Sequence, residues 1–279
     1  MAKSKGGGGV KPDIASLAGL LLAVGAIMAG LLLEGGKVQD VSQITAAMIV
    51  LGGTIGAVML TSPMSTVLGA AKRLTAVFME RTEPYEKVLD EIVDFATQAR
   101  KEGIVSLEKR ASDLEDPFLR KALSLAVDGI DLSQLRGIME LEIEHFEAHG
   151  EAEAKVFEAA GGYAPTVGII GAVLGLIQVM KNLANIDEVG RGIAVAFVAT
   201  VYGVAVANLF FLPAAGKLKA RVQQGVRMRE LMLHGVLAIV EGSNPKLIRT
   251  KLEAYLPASR AKEPKGAAKA TGVAAAVST

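Results

Sequence analysis

Four stretches of the chain are long and apolar enough to cross a lipid bilayer, and none of them contains Asp, Glu, Lys, Arg or His. They run from about Ile14 to Leu33, Val41 to Thr61, Gly161 to Met180 and Gly192 to Pro213. Each is close to the ~20 residues that a helix needs to span the hydrocarbon core. The sequence therefore predicts an integral membrane protein. If this protein moves ions, any titrating carrier must come from a partner, because ionisable groups inside spans usually form the relay.

Lysine and arginine residues flank these spans unevenly, and that imbalance sets the orientation of a membrane protein. Only Lys37, Lys181 and Arg191 lie on one side. The other side carries the larger group: Lys3, Lys5, Lys11, Lys72, Arg73, Lys155, Lys217, Lys219, Arg221 and Arg227. We therefore expect both termini and the long middle segment to be cytoplasmic, with two short outward loops at Glu34–Asp40 and Lys181–Arg191.

The predicted fold is all-α, with four transmembrane helices and a large helical cytoplasmic domain between spans two and three. Proline and glycine residues and the spacing of apolar residues predict helices in that domain at 64–80, from near Pro84 to Gly103, at 106–113 and at 117–129. A further long helix follows, which Asp131 and Gln134 open as a capping box. This last helix can run into span three. The expected organisation is a cytoplasmic segment (1–13), spans one and two (14–61), the cytoplasmic domain (62–160), spans three and four (161–213), a cytoplasmic amphipathic helix (214–257) and a disordered tail (258–279).

The polar residues do not indicate an enzyme. The chain has no cysteine, no phosphate-binding loop and no paired nucleophile and base, and its net charge of +1 gives no reason to expect nucleic-acid binding. His145 and His149 have a spacing that could hold zinc, but Phe146 stands where a metalloprotease motif needs Glu. We expect these histidines to lie on a solvated face, and we predict no metal site and no cofactor.

Two features have competing interpretations. Pro165 and Pro213 both lie at the predicted cytoplasmic ends of spans, where they could simply mark helix ends or could form a matched hinge. A run of charges flanks Gly103, and it could be a solvated face or an electrostatic docking surface. Its members are Arg100, Lys101, Glu102, Glu108, Lys109 and Arg110.

Three segments resemble the A subunit of the bacterial flagellar motor stator, the MotA type within the MotA/TolQ/ExbB superfamily. They are GGYAPTVGIIGAVLGLI (161–177), AFVAT (196–200) continuing to Pro213, and the cytoplasmic stretch ARKEGIVSLE (99–108). The resemblance covers about 13–256. It implies a multi-pass protein of the bacterial inner membrane that serves motility and chemotaxis.

The resemblance also implies partners and site residues. A ring of A subunits, thought to be a homopentamer, would surround a single-span, peptidoglycan-binding B subunit (MotB-type) that carries the membrane aspartate. Arg100 and Glu108 fall on the family's charges that contact the rotor switch-complex protein (FliG-type). Pro165 and Pro213 fall on its paired channel prolines, and Thr200 falls on a hydroxyl near the ion path.

Ala172 bears on which ion is transported. In sodium-driven relatives a threonine occupies this position, seven residues after the first proline, and supplies an oxygen ligand. Alanine therefore favours protons.

Two other functions remain as alternatives. An energiser channel for outer-membrane transport or envelope processes (ExbB/TolQ-like) typically has three spans, and the fourth span and the 100–108 segment argue against it. A non-conducting membrane scaffold is compatible with spans that lack charge.

Overall fold

The protein is almost entirely helical in the computed structural model, which describes residues 10–81 and 85–256. Residues 1–9, Pro84 as a helix start and the predicted tail from 258 lie outside the described residues. The α-helices are α1 (Ile14–Leu33), α2 (Ile44–Ala47), α3 (Gly53–Thr61), α4 (Met64–Phe78), α5 (Tyr85–Glu102), α6 (Glu108–Ser112), α7 (Pro117–Val127), α8 (Leu132–Lys181), α9 (Ile186–Val206), α10 (Leu212–Val240) and α11 (Pro245–Leu252). Short 3₁₀ segments occupy Val38–Val41, Ile104–Leu107 and Glu253–Tyr255, and π-helical segments occupy Met48–Gly52 and Ala207–Phe211.

Four helical stretches within the described ranges are long and apolar enough to cross a membrane: Ile14–Leu33, Val38–Thr61, Leu132–Lys181 and Ile186–Val240. None of the residues of α1 is buried, although nearly all of them are apolar. A helix that is apolar on every side and exposed on every side suits a lipid environment. The chain is a multi-pass membrane protein with an all-α fold, as predicted.

Two of the spanning helices are longer than the spans predicted from hydropathy. The helix α8 runs without interruption from Leu132 through Pro165 to Lys181, so the last helix of the predicted cytoplasmic domain and span three are one helix. Likewise, α9 continues through the π segment Ala207–Phe211 into α10, so the predicted cytoplasmic helix that starts at 214 is not separate from span four. Gly161 and Gly162 lie within α8 and do not end it, because neither adopts the left-handed conformation of a C-terminal glycine cap.

The predicted loop Lys181–Arg191 is shorter than expected, since α9 already begins at Ile186. The side chain of Asn185 accepts hydrogen bonds from the backbone N–H groups of Asp187 and Glu188, at 3.2 and 3.4 Å. This N-cap satisfies donors that the first turn would otherwise leave unpaired. The hydropathy pattern missed the start because polar residues fill the first turn.

The described residues fall into two compact units. One is built from residues 10–81 and 142–226, and the other from 85–141 and 227–256. This is a division by packing, and the assignment of segments to the membrane and its two sides stays a prediction.

The first unit contains the span helices. One apolar cluster joins α4, α8 and α10 through residues such as Val77, Phe157 and Leu218. A short antiparallel pair of strands, β1 (Val10–Pro12) and β2 (Met79–Arg81), ties the chain before α1 to the end of α4. A buried carboxylate, Glu153 of α8, is 3% exposed and forms ion pairs with Arg73 and, at 3.4 Å, with His149.

The second unit packs α5, α7 and α11 with the end of α10. A methyl group built at Gly235 of α10 would lie 2.7 Å from a methyl carbon of Ile92, so glycine permits the close approach of α10 to α5. The buried side chains of this core include Leu89, Ile92, Phe95, Leu119, Leu123, Leu231 and Ile248. Two N-caps are formed: Asp116 accepts from the N–H groups of Phe118 and Leu119, and Asp131, the residue predicted to open a capping box, accepts from that of Ser133.

Candidate functional site

The helices α8 and α9 pack backbone against backbone. A methyl group built at Gly203 would lie 2.5 Å from the carbonyl oxygen of Ala164, and one built at Gly168 would lie 2.9 Å from that of Ala199. At the far end, a methyl group at Gly175 would lie 2.8 Å from the carbonyl oxygen of Gly192. Because apolar burial does not drive helix association in lipid, such small residues allow the close contact that holds two spans together. We call this contact the glycine seam.

The glycine seam brings Pro165 and Thr200 together. The built methyl group of Gly203 lies 3.2 Å from the Cα atom of Pro165, and that of Gly168 lies 3.4 Å from the Cα atom of Thr200. The hydroxyl of Thr200 donates to the carbonyl of Ala196 one turn earlier, at 3.2 Å. A hydroxyl that donates can still accept. Thr200 therefore offers a lone pair near the part of α8 that contains Pro165.

The two prolines lie in neighbouring turns of adjacent helices, and neither of them ends a helix. Pro165 is inside α8, and Pro213 is the second residue of α10, directly after a π segment. Because proline has no N–H, each leaves a carbonyl four residues earlier without its helical donor, which for Pro165 is the carbonyl of Gly161. Gly161 packs against Leu212, with a built methyl group 2.5 Å from the Leu212 Cδ2. Of the two interpretations, the structure therefore removes the one in which the prolines mark helix ends.

Ala172 lies one turn beyond this group on α8 and is partly exposed. Its neighbour Gly171 contacts Ala199 of α9 and Ile49 of span two, where a built methyl group would lie 2.7 and 3.3 Å away. The structure thus places Ala172 next to the glycine seam but not within its closest contacts. Its role in the ion path stays a prediction.

The charge run flanks a tight turn in the second unit. Gly103 has a φ of +84°, a left-handed conformation that favours glycine, and it connects the end of α5 to the 3₁₀ segment Ile104–Leu107. Arg100 lies in the last turn of α5 and Glu108 is the first residue of α6, so each charge also matches the dipole of its own helix end. Both side chains are exposed, while Leu107 between them is fully buried and anchors the turn.

Several residues that build these sites were not singled out from the sequence. On α9, Gly192, Ala196, Ala199 and Gly203 form the partner face of the glycine seam, and their spacing of three and four residues was a readable signal. In span two, Gly52 and Gly56 have the same four-residue spacing, but methyl groups built at them meet nothing within 4 Å. Asp13 also escaped notice, although an aspartate just before an apolar run is a typical N-cap.

The histidine pair forms no metal site with its neighbours. The rings of His145 and His149 stack with centroids 6.3 Å apart. Within residues 10–81 and 85–256, no group of three or more His, Asp or Glu side chains is arranged to hold a metal ion.

Two family models match this chain. Residues 17–103 match the motility protein A N-terminal family, and residues 110–231 match the MotA/TolQ/ExbB proton channel family. The first covers nearly all of the first two spans and ends at Gly103, and the second covers both helices of the glycine seam.

Individual relatives match nearly the whole chain. Motility protein A of Bacillus subtilis is 38% identical over 88% of this chain and 92% of its own length, and motility protein A of Helicobacter pylori is 35% identical over 88% and 95%. The MotAB structure from C. jejuni superposes with a TM-score of 0.85 at 31% identity, covering 90% of this chain and 99% of that chain. The flagellar MotAB stator complex from Bacillus subtilis superposes with a TM-score of 0.80 at 38% identity, covering 88% and 97%. The chain belongs to the motility protein A family of flagellar stator channel subunits.

Proposed function

We propose that this chain conducts protons together with a single-span B subunit of the MotB type and converts that flow into torque on the flagellar rotor. The observation that carries the proposal is that the four spans contain no Asp, Glu, Lys, Arg or His. A channel subunit of this kind can line a path but cannot itself carry a proton, so a partner must supply the membrane carboxylate. Relatives whose structures are MotAB complexes support that pairing.

The chain's share of the path is the region around Pro165, Thr200 and Ala172. The hydroxyl of Thr200 can accept a hydrogen bond from a water or from a protonated carboxyl group, and the carbonyls freed by Pro165 and Pro213 add further acceptors. Helices that carry prolines where two spans meet can also change their bend as a neighbouring carboxylate gains and loses its proton. This gives the prolines a role in transmitting movement to the cytoplasmic residues.

We assign the transported ion as the proton. Sodium requires a shell of oxygen ligands, whereas a proton requires a titrating group and a water path. Alanine at position 172 contributes no side-chain oxygen next to the glycine seam.

Torque is assigned to the turn between α5 and α6. Arg100 and Glu108 present opposite charges on either side of Gly103, and both are exposed to a partner. The partner would be the rotor switch-complex protein of the FliG type. We further propose that the subunits form a pentameric ring in the bacterial inner membrane, with both termini and the α5–α6 turn in the cytoplasm. Lipids would cover the exposed apolar surface of α1.

The ion assignment is tested with swimming cells that carry this chain as their only A subunit. We expect speed to be unchanged when sodium is removed and to fall to zero when a protonophore collapses the proton gradient. The matched variant is Ala172→Thr, which restores an oxygen at the same site and tests whether the position governs ion choice. Rotation that follows external sodium and survives the protonophore in the parent chain would refute the proton assignment.

A further inference from the structure

We propose that Gln98 and Arg110 form a clasp that fixes the geometry of the α5–α6 turn, and that Arg110 is a positioning residue, not a rotor contact. This inference rests on the rotor role proposed above for Arg100 and Glu108. The contacts of Arg110 distinguish it from the other charged residues that flank Gly103.

Gln98 uses both ends of its side-chain amide. Its Nε2 donates to the backbone carbonyl of Ser106 at 3.1 Å and to Oε2 of Glu102 at 3.4 Å, and its Oε1 accepts from a guanidinium nitrogen of Arg110 at 3.0 Å. Because a guanidinium only donates and a carbonyl or carboxylate only accepts, the reverse orientation of the amide would lose all three contacts. One side chain therefore ties α5 to the 3₁₀ segment and to α6.

Arg110 makes a second contact, with the aromatic ring of Phe95. Its guanidinium carbon lies 4.5 Å from the ring centroid of Phe95, a core side chain that is 1% exposed. A cation over an aromatic face is attracted by the ring quadrupole, and the flat guanidinium also stacks on it. Burial raises the pKa of Glu91, and the positive charge of Arg110 opposes that rise, which indicates that Arg110 directs its charge toward α5.

The clasp closes a loop whose ends carry the two proposed torque charges. Gln98 stands two residues before Arg100, and Arg110 stands two residues after Glu108. Between them the chain reverses at Gly103, where glycine gives little resistance to opening. A link at residues 98 and 110 therefore holds the ends of α5 and α6 at one separation, and that separation sets the spacing of Arg100 and Glu108.

The other charges at the turn differ from Arg110. All five side chains are exposed, Arg110 included, but those of Arg100, Lys101, Glu108 and Lys109 form no hydrogen bond or ion pair with another residue of the part that the structure describes. These four are available to a partner, whereas Arg110 is already engaged. The structure thus predicts which charged side chains contact the rotor protein and which one sets the distance between them.

Two substitutions remove the clasp without removing a charge. Arg110→Lys keeps the positive charge but loses the planar fork and the ring stacking, and Gln98→Leu keeps the volume but loses the amide. In the assembled complex, we expect both variants to exchange the backbone amides of residues 103–108 about tenfold faster, the change that corresponds to loss of one hydrogen bond to a charged group. Lys109→Gln, at the neighbouring exposed position, is the matched control and should exchange like the parent.

A measured distance between labels on α5 and α6 tests the geometry of the turn directly. The chain has no cysteine, so spin labels placed through Lys101→Cys and Lys109→Cys report on α5 and α6 without background. We expect Gln98→Leu to broaden the distribution of label separations, and we expect motor torque to fall while membrane abundance and co-purification of the B subunit stay at parent levels.

Rotor charge reversals distinguish positioning from contact. Arg100→Glu and Glu108→Lys should impair rotation and be partly restored by opposite charges on the rotor protein, whereas Arg110→Glu should be impaired and not restored. Parent-like exchange and label separation in both Gln98→Leu and Arg110→Lys, or rescue of Arg110→Glu by a rotor charge, would overturn the clasp. Unchanged rotation in the Arg100→Glu/Glu108→Lys double variant would instead overturn the rotor role on which it rests.

Discussion

Asp13 shows how one side chain can organise the start of a membrane helix. Its carboxylate accepts from the backbone N–H of Ser16 at 3.1 Å, and it pairs with Lys217 and, at 3.2 Å, with Arg221 of α10. Its own N–H donates to the carbonyl of Phe78 at 2.8 Å. The side chain is 5% exposed, so the carboxylate is both the N-cap of α1 and the counter-ion of two basic residues. The hydrogen bond from Lys217, followed by the one from Ser16, holds the pKa of Asp13 below its ordinary value.

The lowered pKa predicts how stability depends on pH. At acid pH the unfolded chain binds a proton at Asp13 more readily than the folded chain does. The contribution of the Asp13 carboxylate to folding stability is therefore complete above its ordinary pKa of about 3.9, and it is lost as pH falls through the lower pKa of the folded chain. We expect Asp13→Asn to lower stability near neutral pH by about 1–3 kcal/mol, because Lys217 and Arg221 lose their counter-ion. It should also remove part of the acid sensitivity. Thermal melts of the purified complex between pH 3 and pH 7 measure both effects, and parallel curves for parent and variant would contradict the assignment.

The glycine seam is the main contact at the scale of elements. Four small residues of α9 face Gly168, Gly171 and Gly175 of α8, and the contacting atoms are largely backbone. A backbone contact cannot be relieved by a change of rotamer, so an added methyl group must separate the helices. The seam also holds Pro165 beside Thr200, so any such separation displaces the proposed ion path.

We therefore predict that Gly203→Ala destabilises the protein by about 1–3 kcal/mol, the usual cost of overpacking. Gly25→Ala in α1 is the matched control, because a methyl group there meets nothing within 4 Å. It should be neutral or slightly stabilising, since alanine favours helix more than glycine does. Melting temperatures of the two variants in the same detergent check the prediction, and equal losses would show that the seam is not a tight contact.

Helical elements were easier to predict from the sequence than the contacts between them. The spans and α5 follow from hydropathy and from the spacing of residues such as Ile92 and Phe95, because burial in lipid or in a core leaves a periodic signal. The sequence does not say which neighbour a glycine faces, so the pair Gly52 and Gly56 suggested a contact that the chain itself does not make. The role of Gln98 was also unreadable, because two of its three partners, Ser106 and Arg110, lie in other elements and reach it only once Gly103 has reversed the chain.

At the scale of the whole molecule, the chain is a membrane protein with one function divided among separate parts. The spans provide packing, an accepting hydroxyl and prolines, but no acidic or basic side chain. The charges gather instead at the α5–α6 turn, in the second compact unit. The helices α8 and α10 each contribute residues to both units.

The central claim is that the channel is incomplete without a partner that carries a carboxylate in the membrane. Its most direct test is proton flux into vesicles that contain this chain alone, the chain with its single-span B subunit, or the chain with a B subunit whose membrane aspartate is replaced by asparagine. We predict flux only for the chain with the intact partner. A pH-dependent proton flux through this chain alone, at a rate similar to that of the complete complex, would contradict the account.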